Sequence, residues 1–311
     1  MGGLLGFLVR RACWVVVTLW IVYTTSFILM RSVPGGPFDN ERKLPAEIQK
    51  NIEARYNLDE SLPKQYFHHL GGILFRWDFG PSFRLTDFTV NQVIQQGFPV
   101  SASMGIFAIT FAVLLGTLAG ILSAVRRHTA WDLSFMTAAT LGIAVPNFVL
   151  ASLAIVVFVF QLQWFPAAGW GSLRQIILPA LCLGAPYAGY IARLTRTGML
   201  EVLGRDYIRT AYAKGLSERR VVLRHALRGA LLPVVSYLGP ATAGILTGSL
   251  VLEQVFALPG MGSHFVEAAI QRDYPLALGM VMVYTCLLLF MNTVVDLSYA
   301  MIDPRVKIET Q

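Results

Sequence analysis

Residues 193–228 read RLTRTGMLEVLGRDYIRTAYAKGLSERRVVLRHALR, a polar stretch with nine Lys/Arg and three acids (Glu201, Asp206, Glu218) between long apolar runs. Those runs decide the fold class. Charge-free windows cover 12–30, 88–125, 133–173, 175–192, 229–252 and 274–295, and about 20 apolar residues cross the ~30 Å hydrocarbon layer of a bilayer as a helix. The expectation is an all-α polytopic membrane protein with six transmembrane helices and a large external loop after the first. Composition agrees: 14% of the 311 residues are charged, 55% are hydrophobic and the mean hydropathy is +0.58, where a soluble domain carries roughly 25% charge.

The 41-residue window 133–173 has room for two spans, but Gln161, Gln163, Trp164, Pro166, Gly169, Trp170 and Gly171 interrupt it with interface and turn residues. It reads as one span near 133–160 followed by an interfacial segment. An even number of spans puts both termini on one side. Arg10, Arg11, Arg126, Arg127, the nine cations of 193–228, Arg305 and Lys307 make 15 basic residues on that face, against Arg174 and Arg272 in the short loops of the other. Residues 31–98 balance eight basic with eight acidic residues, and so long a loop contributes little to orientation. Both termini are therefore expected in the cytoplasm, and the net charge of +7 is mainly a topological signal rather than a sign of nucleic-acid binding.

The expected organisation is a cytoplasmic N-terminus and first helix over 1–30, an external loop domain over 31–98, a core over 99–304 with its cytoplasmic loop at 193–230, and a tail over 305–311. Cys13, Cys182 and Cys286 lie in apolar windows, where none can staple the external loop. The first window lacks a small-residue cleavage site and ends in Met30-Arg31, so it reads as a retained helix. The external segment opens with Pro34-Gly35-Gly36-Pro37. A helix is expected from Pro45, with Ile48, Ile52 and Tyr56 as its apolar stripe. Trp77, Phe79, Phe83 and Phe88 with Gly80-Pro81 suggest a compact aromatic turn region. Such a segment either docks a partner or packs as a lid on the helix ends.

Catalytic chemistry has no visible parts. None of the five lysines (Lys43, Lys50, Lys64, Lys214, Lys307) follows a glycine, which leaves no phosphate-binding loop, and no Gly-x-Ser-x-Gly, His-Glu-x-x-His or Cys-x-x-Cys occurs. No catalytic and no metal residue is assigned; His68-His69 read as a solvated or interfacial pair. Within the spans the one acid is Asp296, one turn after Asn292 on the last, and this polar pair either holds a neighbour or lines a route. Gly116-x-x-x-Gly120 and Gly244-x-x-x-Gly248 allow close helix approach, inside the chain or between subunits. Pro146-Asn147 and Pro186-Tyr187 are expected to break the third and fourth spans, freeing carbonyls that must be covered or face a wet cavity.

In the cytoplasmic loop, 206–214 places Tyr207, Ile208, Ala211 and Tyr212 on one helical face. Gly215 supplies a turn, and Ser217-Glu218 caps a second helix. On that helix Arg220, Arg224 and Arg228 form a basic stripe beside an apolar one of Leu223, Leu227 and Leu231, suited to lipid headgroups or to a partner.

The stretch GRDYIRTAYAKGLSERRVVLRHALRGALLPV, Gly204–Val234, closely resembles the cytoplasmic loop of ATP-binding-cassette importer permeases of the peptide and nickel branch. Their general signature is Glu-Ala-Ala, three residues, Gly, nine residues, Ile-x-Leu-Pro. With Gly215 as the glycine, the chain departs from it at Arg209, His225 and Arg228 in a manner similar to the peptide branch. EQVFALPGMG (Glu253–Gly262), QRDYP (Gln271–Pro275) and DPRV (Asp303–Val306) extend the resemblance. VPGGPF (Val33–Phe38), YNLDESLPKQYF (Tyr56–Phe67) and WDFGPSF (Trp77–Phe83) resemble the first, B-type permease of oligopeptide uptake transporters.

The resemblance implies a type I importer permease fold in a bacterial inner membrane and a non-enzymatic subunit. It also implies a second homologous permease, two cytosolic ABC ATPase subunits that carry the ATP and Mg, and an extracytoplasmic peptide-binding protein. Tyr207, Thr210, Ala211, Lys214, Gly215 and Leu216 would contact an ATPase. Pro146, Asn147, Pro186, Tyr187 and Asn292 would line the path for peptide, and Leu258, Pro259, Gly260, Trp77 and Phe79 would form the outer gate. Sister members importing dipeptides, nickel or haem remain an alternative, with a stand-alone secondary carrier as a third reading.

Overall fold

A computed structural model describes residues 2–33, 56, 58–85, 87–246 and 250–302. The helix expected from Pro45 (apart from Tyr56), the Pro34–Pro37 turn, Gly248, the Asp303–Val306 motif and the 305–311 tail lie outside the described residues, as does the side chain of Asp296. What is described is helical, with one isolated β-bridge between Pro81 and Thr89. The helices are α1 (Gly2–Ser32), α2 (Leu62–Arg76), α3 (Val90–Val125), α4 (Ala130–Ala144), α5 (Asn147–Gln161), α6 (Leu173–Leu203), α7 (Asp206–Ala213), α8 (Glu218–Ala230), α9 (Leu232–Leu246), α10 (Leu250–Val255), α11 (Met261–Gln271) and α12 (Tyr274–Ile302). Four of them are long and apolar enough to cross a membrane: Val9–Ser32 of α1, α3, α6 and Tyr274–Val294 of α12. Two bent pairs, α4 with α5 at 111° and α8 with α9 at 54°, bring the number of candidate spans to as many as six.

Two of the expected proline effects separate here. At Pro146 the chain does turn: Val145 leaves helical dihedrals (φ −84°, ψ 125°) and α5 starts afresh, so 133–160 is a sharply bent pair rather than one straight span. At Pro186 the expectation fails, because α6 runs unbroken from Leu173 to Leu203 through both Pro179 and Pro186. One missing backbone donor is a small loss in a helix held along its length by packing, and 56% of its apolar window is buried.

The chain divides into two compact units, the second comprising 101–258 and the end of α12. In it α6 is the central helix, packed against α4, α5, α8 and α9. Gly116 and Gly120 of α3 also meet it: an added Cβ would lie 2.6 Å from the Ala188 and Ala192 carbonyl oxygens respectively. The first Gly-x-x-x-Gly pair is therefore an intrachain contact. Gly244 of α9 lies beneath Tyr187, whose hydroxyl would be 3.0 Å from a Cβ there. Cys182 is buried, and like exposed Cys13 and Cys286 it is a free thiol.

The first unit holds 2–100 and 259–289. Its α2 lies along α1. Tyr23, fully buried, brings its hydroxyl 3.1 Å from His69 Nδ1, while the Tyr66 ring packs edge-on against Tyr23 and Phe27 and its hydroxyl is 2.8 Å from Thr24 Oγ1. Of the expected solvated or interfacial pair His68 is exposed, whereas half-buried His69 also places Nε2 3.1 Å from the Phe79 carbonyl, and burial pushes its pKa below the ordinary value. Of the expected aromatic turn, Phe83 is buried with its ring centroid 4.8 Å from that of Tyr56, whereas Trp77 and Phe88 are exposed.

Asp273, 1% exposed, closes this turn. Its carboxylate accepts from the Ser82 hydroxyl and from the backbone N–H groups of Phe83 (3.1 Å), Arg84 (3.2 Å) and Leu276 (3.2 Å). Asp273→Ala strands several donors at once. An unsatisfied buried donor costs ~1–3 kcal/mol, so we expect a loss of about 3 kcal/mol, read as a lower thermal unfolding midpoint of the purified chain. Asp273→Asn, which keeps one acceptor, falls between the two.

Candidate functional site

The helix–turn–helix of α7 and α8 is the most distinctive local structure. Asp206 opens α7 in its first turn, where the helix dipole favours an acid. Ile208 and Ala211, three apart, are buried at 0% and 6% exposure in a cluster with Ala124, Met199, Val221, Val222, Ala226 and Ala230. The helix ends on Gly215 at φ +77°, the left-handed region that glycine enters without a Cβ penalty. Two hydrogen bonds lock the end: Leu216 N donates to Ala211 O (3.3 Å) and Gly215 N to Tyr212 O (2.9 Å). This is a Schellman termination, and Leu216 completes it by packing against the same cluster. Ser217 then takes extended dihedrals and α8 begins at Glu218, although the serine side chain makes no capping bond.

The expected face of four residues divides. Ile208 and Ala211 point into the protein, whereas Tyr207 (51%) and Tyr212 (45%) are exposed. Of the six residues assigned to the contact, Tyr207, Thr210, Lys214 and Gly215 form an exposed crest, while Ala211 and Leu216 are its foundation. The apolar stripe on α8 is also corrected. Residues Val221–Ala226 form a π-helix, whose wider turn shifts the register. The buried side chains are Val221, Val222, Ala226 and Ala230; of the expected stripe Leu227 and Leu231 are partly buried, and Leu223 is 50% exposed. Arg220, Arg224 and Arg228 remain an exposed basic stripe.

The base of the element is tied to its surroundings by groups the sequence reading left unassigned. Asp132, buried at the start of α4, takes a two-pronged ion pair from Arg196 of α6 (Nε 2.8 Å, Nη2 2.9 Å), the Ser123 hydroxyl of α3 and the His128 N–H (3.0 Å). The three helices are thus pinned two turns before α6 ends. Arg193 also bonds Thr140 Oγ1 of α4 at 2.9 Å. Locally Asp132 is only an acid in the first turn of a helix, because its arginine partner is 64 residues away.

The other assigned residues are scattered. Pro146 is exposed at the α4–α5 bend and Asn147 half-buried; Pro186 and Tyr187 are half-buried inside α6, and Asn292 half-buried on α12. A cavity of about 280 Å³ in the second unit, lined by small residues such as Gly116, Ala138, Gly142, Ala185 and Gly189, includes none of these five. In the first unit Trp77 ends α2 in the left-handed region (φ 53°) at 80% exposure, and Phe79 is half-buried, its N–H bonded to Asn91 Oδ1 at 3.0 Å. Pro259 is exposed, and Gly260 caps α11 with extended backbone (φ −93°). Leu258 belongs to the second unit and is 2% exposed. Among the described residues no group of three metal-ligating side chains occurs.

Comparison with known proteins places this architecture. Residues 116–308 match the family model of the binding-protein-dependent transport system inner membrane component, and residues 4–105 match the model of its N-terminal part. The chain is 46% identical over 306 residues, 98% of its length and all of the relative's, to the oligopeptide transport system permease protein OppB of Salmonella typhimurium. It is 47% identical over the same span to OppB of Haemophilus influenzae. With the dipeptide transport system permease protein DppB of Bacillus subtilis it shares 45% over 302 residues, 97% of this chain and 98% of that one. Among solved structures, an amino acid ABC transporter chain superposes at TM-score 0.54 with 14% identity, covering 68% of this chain and 94% of that one. The MetNI methionine ABC transporter gives 0.52 with 17% identity, covering 67% and 96%. These two show the fold alone. The whole-length sequence matches and both family models agree, and the chain belongs to the binding-protein-dependent transport system inner membrane components.

Proposed function

We propose that the chain is one of two permease subunits of an ATP-driven oligopeptide importer in a bacterial inner membrane. The observation that carries this reading is the 46% identity to an oligopeptide permease, spread over 98% of this chain and the whole of the relative. In this reading the two bent helix pairs each make one span, giving six, with both termini in the cytoplasm and 31–98 outside. The second permease is a homologous chain, and a peptide-binding protein delivers cargo to the outer face. Pro146, Asn147, Pro186, Tyr187 and Asn292 stay as candidates for the peptide path, and Trp77, Phe79, Leu258, Pro259 and Gly260 for the outer gate.

The chain supplies no catalytic group; ATP and Mg reside on two cytosolic ATPase partners. The exposed crest of Tyr207, Thr210, Lys214 and Gly215 enters a cleft on such a partner. Because Ile208, Ala211 and Leu216 are embedded beside Met199 of α6 and Ala124 of α3, a displacement of the crest is passed to those helices as a body rather than absorbed in a loop.

Uptake of labelled tri- to pentapeptides, dipeptides and nickel, in cells with and without this chain and with its neighbours intact, tests the assignment. Selective loss of the longer peptides is the expected outcome. Unchanged peptide uptake with loss of another solute moves the chain to a sister branch.

A further inference from the structure

The first unit contains a cavity of about 440 Å³, of whose lining the transport reading uses Phe79 alone. Its wall includes Arg31, the last cation of α1, and Arg76, the last of α2, together with His68. The Arg31 guanidinium lies over two rings, 5.7 Å from the Phe27 centroid and 5.4 Å from that of Tyr274. Among the described residues neither arginine forms an ion pair or hydrogen bond. Asp78 also lines the wall, but its Oδ1 is held by the Gly80 N–H at 2.9 Å. Among the described residues of the lining, two guanidinium groups thus stand against one carboxylate, which leaves this partly buried space net positive.

The mouth of the same cavity is apolar. Phe75 lines it at 85% exposure; Phe67 (69%) and Leu74 (62%) continue the helical face that Phe75 borders. Gly71, also in the lining, has nothing within 4 Å of an added Cβ, leaving an open slot along the helix. The depth of α2 is informative as well. Tyr66 reaches Thr24, eight residues before Ser32 at the end of α1, which is about 12 Å along the axis at 1.5 Å per residue. This contact sets part of α2 at the level of an α1 whose Trp20 (55%), Ile28 (56%) and Leu29 (62%) are exposed, where a spanning helix is surrounded by lipid.

We propose that this cavity is the headgroup site of an anionic phospholipid of the outer leaflet, its phosphate on Arg31 and Arg76 and an acyl chain along Gly71 and Phe75. A fork of N–H donors on a phosphate is the strong form of such a contact, and the ring-stacked Arg31 is held ready for it without rearrangement. A soluble carboxylate would use the cations but has no need of the apolar slot. The site rests on the reading of α1 as a span whose Arg31 end faces outward.

The test uses the assembled transporter in detergent with added phosphatidylglycerol, bound lipid being counted by native mass spectrometry. Arg31→Gln combined with Arg76→Gln is expected to weaken binding about tenfold, the loss of a charge-assisted contact. Phe75→Ser weakens it while keeping both charges, and Arg174→Gln leaves it unchanged. Should the arginine variant fail to assemble, Phe75→Ser decides alone. Equal lipid on wild type and variants overturns the site, as does displacement of the lipid by inorganic phosphate or trialanine. Separately, Trp77→Cys, with Cys13, Cys182 and Cys286 replaced by alanine, is labelled in whole cells by an impermeant maleimide. Failure there removes the topology and leaves the lipid count to stand by itself.

Discussion

Gly215→Pro abolishes peptide uptake while the chain stays in the membrane at wild-type abundance. Proline holds φ near −65°, and residue 215 sits at +77°, so the turn cannot keep its path. The substitution also deletes the Gly215 N–H that bonds Tyr212 O at 2.9 Å. The damage is local, because Gly215 is exposed and a Cβ there meets nothing within 4 Å. Alanine separates the two causes. It keeps the N–H and clashes with nothing, paying only the left-handed penalty of about 1–2 kcal/mol, and retains part of the uptake. The measurements are initial uptake rate and peptide-stimulated ATP hydrolysis by the assembled transporter. Both fall to background in the proline variant if the crest transmits closure of the ATPase. Normal uptake at wild-type abundance would end the assignment.

The parts of this site that could be read from sequence are those made by neighbours in the chain. A helix opening at 206, Gly215 at its end and Ser217-Glu218 at the next start are all local rules, and the structure obeys them apart from the serine's side-chain bond; the expected face of Tyr207, Ile208, Ala211 and Tyr212 holds only for Ile208 and Ala211. The Leu223–Leu227–Leu231 stripe failed at Leu223, while Leu227 and Leu231 pack as expected, because a period of 3.6 was extrapolated through a stretch that winds as a π-helix. Proline misled for a related reason: Pro146 and Pro186 carry the same local signal, and only the packing around α6 distinguishes a bend from a continuous helix. Asp132 and Asp273 were invisible as anchors since their partners lie 64 and about 190 residues away. Tertiary partners of acids are set by topology, which no window reports.

Gly116→Val with Gly120→Val yields a chain that no longer folds to a transport-competent state. At Gly120 an added Cβ would lie 2.5 Å from Thr195 Cβ and 2.6 Å from the Ala192 carbonyl oxygen; at Gly116 it would lie 2.6 Å from the Ala188 carbonyl oxygen and 2.9 Å from Ile191 Cβ. Backbone carbonyls cannot swing aside as a flexible side chain does, so α3 and α6 must separate along two turns. Overpacking costs about 1–3 kcal/mol per site and more where backbone has to move, and close small-residue contact is itself a main source of helix association in lipid. Separation also draws Ser123 away from Asp132, loosening the carboxylate that Arg196 grips. The expected readout is loss of the folded fraction in a denaturant titration of purified protein, with uptake lost in parallel. Thr195→Gly should not rescue Gly120→Ala, because the Ala192 carbonyl still blocks the new methyl group. Full rescue would show that the side chain rather than the backbone sets this crossing.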